Sequence, residues 1–299
     1  MIDLKTENLL INKEVNENLE SILKRKAFSN GYIFYGPEGI GKKQTAMKFI
    51  MEIFNKYSSN SNIEKKIIDK NHPDFLLIEP TYFFKGNLIN RSEAEPTKNN
   101  KETIRIEQIR NLKTFLGQKS IESGGKIVLI DDAHLMNEAA SNCLLKTLEE
   151  PSNGIFILLT SRLNLLLDTI ISRCQLIRFK AFSYKKLEIF IRNNLDSTVF
   201  DIYKEIDLQY FINSANGSPG KILKDIKIWN QLPNAIKENL DFPLSDNLEI
   251  LKITKLISEE LDIDQQMFLI NFVQQKCWAK TRNKNCLLYT SDAADDTSG

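Results

Sequence analysis

Tyr35-Gly36-Pro37-Glu38-Gly39-Ile40-Gly41-Lys42-Lys43 constrains this chain more than any other stretch. The spacing Gly36-x-x-x-x-Gly41-Lys42 is that of a phosphate-binding loop. Its backbone N–H groups wrap a phosphate and its lysine reaches the outer oxygens. Gly36, Pro37, Gly39, Gly41, Lys42 and Lys43 are therefore candidate nucleotide-binding residues. The pattern asks next for Ser or Thr, whose hydroxyl ligates Mg²⁺, and this chain has Lys43. An ammonium about 4 Å from a unit positive charge costs around 4 kcal/mol at an effective dielectric near 20, and a divalent ion roughly doubles that. The loop keeps its cradle and loses a metal ligand.

Such a loop needs a strand before it and a helix after it. Tyr32–Tyr35 is a short apolar run of the buried-strand kind, and Lys42–Lys56 places Ala46, Phe49, Ile50 and Ile53 on one helical face. Further strands are expected at 75–79, 126–131, 155–160 and 175–179. Helices are expected at 14–26, from about Ile106 to Leu116, from the Asn137 cap to Glu150 and at 165–172. Pro80–Lys101 reads as a polar loop without period. Strands alternating with helices imply a parallel α/β sheet wound on both faces. After Ser183 the strands stop. Helices are expected at 184–194, 201–215, 220–229 and 247–276, with a looser joint over 230–245 containing Pro233 and Pro243.

The chain has 299 residues, enough for two or three domains. Lys+Arg 40 against Asp+Glu 39 leaves a net charge of +1, so DNA contact would need a local patch, and a standalone nucleic-acid binder is disfavoured. No apolar run is long enough to span a bilayer, and the N-terminus lacks a basic region followed by an apolar one. The four cysteines, Cys143, Cys174, Cys277 and Cys286, form no C-x-x-C pair. A cytoplasmic location without membrane contact is expected, and neither a zinc site nor a disulfide framework is supported. The final stretch from Cys286 to Gly299 reads like a translated sequencing-library adapter and is set apart from fold reasoning, which would leave the last helical domain truncated near Asn285.

Four further elements follow the loop in order. Asp131 and Asp132 stand at the end of the strand expected over 126–131, the Walker B position, where the first acid holds Mg²⁺ and the next is ordinarily a glutamate that orients water. Asp132 is one methylene shorter, and an ångström of misplacement can cost on the order of 10²-fold. Solvated acids capping a strand would explain the pair without chemistry. Thr160, at the next strand end, suits a γ-phosphate sensor or a cap of the following turn. Ser172-Arg173-Cys174 precedes the last strand. An arginine there can stabilise transition-state charge across a subunit interface, worth roughly 10³–10⁵ in rate, or form an ordinary surface ion pair. Gly217-Ser218-Pro219-Gly220 opens a later helix where an active ATPase would place an arginine.

Together with His72-Pro73-Asp74, Arg105-Ile106-Glu107-Gln108-Ile109-Arg110 and Leu144-Leu145-Lys146-Thr147-Leu148-Glu149-Glu150-Pro151, these pieces resemble the clamp-loader branch of the AAA+ ATPases. Within that branch they resemble the bacterial DNA polymerase III delta-prime family. The resemblance implies an AAA+ P-loop core over 1–180, a small helical lid over 181–229 and a helical collar over 236–285. It also implies a hetero-pentamer with gamma/tau motor subunits and delta that loads a sliding clamp on primed DNA. Arg173 would be a catalytic finger in trans, Thr160 sensor 1, and Gly217, Ser218 and Gly220 a degenerate sensor 2. Many relatives carry a four-cysteine zinc module before the His-Pro-Asp strand; Lys56–Asn71 has no cysteine, so zinc is not expected. Lys43, Asp132 and Gly220 are three concordant departures from an active site. Weak or absent ATP hydrolysis follows, with no cofactor required and weak ATP or ADP binding left open. An active motor of the same family is the alternative.

Overall fold

A computed structural model of the chain describes residues 12–25, 28–57, 62–84, 87–90, 102–122, 124–150, 154–194, 205–238, 240 and 247–282. The chain divides into two compact units: residues 9–181, and residues 182–299 together with the first eight. The stretch from Cys286 onward lies outside the described residues.

The first unit is an α/β P-loop core. Its sheet contains β1 (Gly31–Tyr35), β2 (Phe75–Ile78), β5 (Lys126–Ile130), β6 (Gly154–Thr160) and β7 (Gln175–Arg178) in the order β2-β5-β6-β1-β7. Every neighbouring pair is parallel. Tyr32, Ile33, Phe34 and all five residues of β5 are buried, the continuous apolar signature of strands covered on both faces. Helices supply the cover. They are α1 (Lys13–Arg25), α2 (Lys42–Tyr57), α3 (Ile63–Ile68), α4 (Ile106–Gly117), α5 (Glu138–Glu149) and the short α6 (Asp168–Ile171). Each of the longer helices turns an apolar stripe inward, as α2 does with Ala46, Phe49, Ile50 and Ile53. Asn137 caps α5 by accepting a hydrogen bond from the Ala140 N–H at 2.8 Å.

Two expectations need correction in this unit. The segment read as a polar loop carries an antiparallel hairpin, β3 (Thr81–Phe84) with β4 (Asn87–Asn90). Thr-Tyr-Phe-Phe and Leu-Ile are β-branched or aromatic-rich runs, and the polar residues around them diluted that signal. Mutual Thr81–Thr103 backbone bonds tie the hairpin down. The helix read over 165–172 is shorter, because Leu163–Leu165 forms a 3-10 turn and Leu167 is extended before α6.

The second unit is helical: α7 (Tyr184–Asn194), α8 (Glu205–Ser214), α9 (Pro219–Gln231), α10 (Asn234–Glu238), α11 (Asn247–Glu260) and α12 (Ile263–Arg282). Tyr210, Phe211, Trp229, Phe268 and Phe272 form its aromatic core, with centroid separations from 4.5 to 6.3 Å. The single helix expected over 247–276 is two. Asp262 interrupts it: its carboxylate accepts from the Gln265 N–H at 2.8 Å, and the Gln265 side chain accepts from the Asp262 N–H at 3.1 Å. That reciprocal pair is a capping box. No helix among the described residues is long and apolar enough to cross a membrane.

Candidate functional site: a P-loop with an internal cation

Parallel pairing fixes where the loop lies. β1 pairs with β6 so that Tyr35 lies beside Thr160, and β6 pairs with β5 so that Leu158 lies beside Ile130. The P-loop, Thr160, Asp131 and Asp132 therefore gather at the carboxyl end of the sheet, the end at which α/β sheets bind ligands. The glycines have separate reasons. Gly36 has φ +153, and a Cβ there would lie 2.3 Å from the Phe179 carbonyl oxygen at the end of β7. Gly39 (φ 69) and Gly41 (φ 96) turn the chain through conformations that L side chains rarely adopt. A Cβ on Gly41 would meet nothing within 4 Å, so backbone angle alone calls for glycine there.

Lys42 is 8% exposed and folds onto its own loop, donating to the Gly36 and Pro37 carbonyls at 2.8 and 2.7 Å. Burial pulls its ammonium below the ordinary lysine range, and the Asp132, Glu38 and Asp131 charges offset only part of that.

Lys43 lies one residue on, in the first turn of α2. Its ammonium is 2.6 Å from Glu79 Oε1 and 2.9 Å from Asp131 Oδ2. Glu79 directly follows β2, whose Ile78 pairs with Ile130 of β5, so parallel register sets Glu79 beside Asp131. Lys70 completes the group at 2.6 Å from Glu79 Oε2. Burial would lower the Lys43 ammonium, but the hydrogen bond to Glu79 and the contact with Asp131 outweigh it and hold the group above its usual range. Burial likewise pushes the Glu79 carboxyl up, and its bonds to Lys43 and Lys70 bring it below the usual carboxylate range. The P-loop fold implies Mg²⁺ held by a hydroxyl and the Asp131 carboxylate. These residues do not fit it: the hydroxyl is absent and the carboxylate already faces a cation.

Asp132 adopts a left-handed backbone, φ 47 and ψ 49, and its N–H reaches Asp131 Oδ1 at 3.1 Å. Asp tolerates that region better than most side chains, which gives a local reason for Asp over Glu. Thr160 is fully buried. Its hydroxyl accepts from the Arg162 N–H at 3.0 Å and meets His134 Nδ1 at 3.3 Å. Burial holds the His134 imidazole below its ordinary value, with the Asp132 charge opposing.

Arg173 is elsewhere on the unit. It precedes β7, whose first residue Gln175 pairs with Tyr32, whereas the P-loop follows the other end of β1. The four residues of β7 span roughly 13 Å, so Arg173 and its own P-loop lie at opposite ends of the sheet. Its guanidinium meets Glu149 Oε1 at 2.6 Å and donates to the Thr169 carbonyl at 2.9 Å. Cys174 seats the turn: a Cβ on Gly31 would lie 2.6 Å from its Sγ, and burial pushes the thiol up to about 11. Gly217, Ser218 and Gly220 belong to the helical unit. There Ser218 caps α9 by accepting from the Lys221 N–H at 3.2 Å, and Lys221 Nζ donates to the Ser214 carbonyl at 2.7 Å.

Sequence reasoning missed Glu79, Lys70, His134 and Glu149. Glu79 carried the same signal as Asp131, an acid directly after a buried strand. The partners of the other three were set by tertiary contact.

The family profile described as DNA polymerase III, delta subunit matches residues 11–183, and one described as cyanobacterial DNA polymerase III delta prime, C-terminal domain, matches 197–295. The DNA polymerase III subunit delta' of Pseudomonas aeruginosa is 34% identical over 157 residues, covering 50% of this chain and 43% of that one. Its Bacillus subtilis counterpart is 30% identical over 189 residues, covering 59% and 52%. The Bacillus subtilis tau subunit is 27% identical over 212 residues, covering 71% and 35%. The chain thus spans about half the length of the delta' relatives it matches. Among solved structures, a DNA polymerase III gamma subunit-related protein of Thermotoga maritima aligns with TM-score 0.43 at 19% identity, covering 86% of this chain and 78% of that one. With one profile spanning more than half of it and a delta-prime profile matching the helical unit, the chain belongs to the DNA polymerase III delta-prime family.

Proposed function

We propose that this chain is a clamp-loader stator, a subunit that assists ATP hydrolysis by a neighbour without hydrolysing ATP itself. In this reading it sits in a cytoplasmic hetero-pentamer with gamma/tau motor subunits and delta, and helps place a sliding clamp on primed DNA. Arg173 is the working group, completing the ATP site of an adjacent motor subunit. The observation that carries this reading is position: Arg173 lies at the end of the sheet away from its own P-loop, partly exposed, on a turn seated by Cys174. A guanidinium so placed serves a nucleotide on another subunit or none.

The silent half of the reading has separate support. Lys43 fills the place of the metal-ligating hydroxyl, Asp132 is shorter than the usual glutamate, and Gly220 cannot supply a sensor arginine. The backbone cradle, Lys42 and the N-terminus of α2 leave nucleotide binding open. The test is steady-state ATP turnover by the purified chain. The expected result is no turnover above background with Mg²⁺. Robust Mg²⁺-dependent turnover that Lys42→Met abolishes would favour an active motor and overturn the silent reading.

A further inference from the structure

The group formed by Lys43, Lys70, Glu79 and Asp131 joins four segments of the core. Lys43 comes from the first turn of α2, Glu79 from the end of β2, Asp131 from the end of β5, and Lys70 from the turn after α3. Two ammoniums face two carboxylates, so the group is neutral without any ion from solvent. The side chains of Asp131 and Glu79 are 16% and 18% exposed and those of Lys43 and Lys70 40% and 50%, so the carboxylates are shielded from screening more than the ammoniums. Lys43 is the central member because it touches both carboxylates.

We infer that the Lys43 ammonium stands permanently in the metal position of this P-loop, a built-in cation that pairs with Asp131 and excludes a divalent ion from the site. A cation at Asp131 must displace a lysine already held at 2.9 Å by that carboxylate and at 2.6 Å by Glu79. A displaced ammonium would remain tethered on α2 as a like charge beside the incoming ion. The ligand left to the cradle is a phosphate group free of metal. Lys43 also ties the loop's helix to the ends of two strands, which keeps the apo loop anchored without nucleotide. The inference rests on the silent P-loop reading and is independent of Arg173.

The test uses Mn²⁺ as the probe, followed by electron paramagnetic resonance on the full chain, with and without ADP. Wild type is expected to leave Mn²⁺ off the protein in both conditions, as the free aquo ion alone and as a mixture of aquo ion and soluble Mn²⁺–ADP when ADP is present. Lys43→Ser removes the cation and restores a hydroxyl. In the presence of ADP it is expected to bind one Mn²⁺ at least tenfold more tightly than wild type, and adding Asp131→Asn should abolish that gain. Circular dichroism confirms that each variant is folded; should Lys43→Ser not fold, Lys43→Thr takes its place. The inference is overturned if wild type binds Mn²⁺ in a manner lost on Asp131→Asn. It is equally overturned if the folded hydroxyl variant binds no more Mn²⁺ than wild type. Such Asp131-dependent Mn²⁺ binding by wild type without ATP turnover removes this inference and leaves the silent reading standing; Mg²⁺-dependent turnover removes both.

Discussion

Gly36 is required by Phe179 whether or not a phosphate ever enters the loop. A methyl there would clash with the Phe179 backbone at 2.3 Å while φ stays at +153. Overpacking costs about 1–3 kcal/mol and a left-handed backbone roughly 1 kcal/mol more. Gly36→Ala should therefore lower unfolding free energy by about 2–4 kcal/mol in urea titration, and a change under about 1 kcal/mol would contradict the packing account. The chain has two histidines, and burial holds both below the ordinary value of 6.5. For His72 the Glu122 and Asp74 charges oppose burial without cancelling it, and the ring stacks on Phe54 at 4.4 Å. A depressed folded value means the unfolded chain takes up the proton first. Their contribution to stability is complete above about pH 6.5 and is lost as pH falls from there through the folded values. Unfolding free energy should thus be lower at about pH 5.5 than at about pH 7.5. The double variant His72→Asn/His134→Asn should keep less of that gap, and an unchanged gap would assign it to other groups.

Among elements, β1, β2, β5 and β6 were legible because each carries a continuous apolar run bounded by polar residues, whereas the edge strand β7 is mostly exposed and carries only Leu176-Ile177 between polar residues. The β3–β4 hairpin was not, because its cohesion comes from Thr103, Glu102 and Gln108, the first of them 22 residues from Thr81. His72-Pro73-Asp74 was read as a family signature. The structure adds a local reason for Asp74, which is fully buried and whose carboxylate accepts from the Ile121 and Glu122 N–H groups and the Ser120 hydroxyl. The site was half legible. Loop spacing named Lys42 and Lys43 and the end of a buried strand named Asp131, but the partner of Lys43 depends on β2 lying next to β5, which no local pattern encodes. The α11–α12 break was present in the sequence as Asp262-x-x-Gln265 and is easily passed over inside a long apolar period. Asp262→Ala removes that cap and should cost about 0.5–2 kcal/mol in the thermal unfolding of the helical unit. No loss would show that the break is held by packing alone.

At the scale of the whole molecule, the two ends of one parallel sheet carry different fates. The carboxyl end holds the P-loop, whose Lys43 pairs with Asp131 and Glu79. The amino end presents Arg173, fastened by Thr169 and paired with Glu149. An exposed ion pair of this kind is worth about 0–1 kcal/mol, so it positions the guanidinium without locking it away from a stronger anion. Chemical work is thus expected at the end of the sheet away from the chain's own loop. The most direct measurement is ATP turnover by a loader reconstituted from delta, the gamma/tau motor subunits and this chain, with clamp and primed DNA present. Arg173→Ala in this chain should lower turnover by roughly tenfold or more per affected motor site, while Lys42→Met in this chain should leave it within about twofold of wild type. Loss of turnover with Lys42→Met and none with Arg173→Ala would contradict the account.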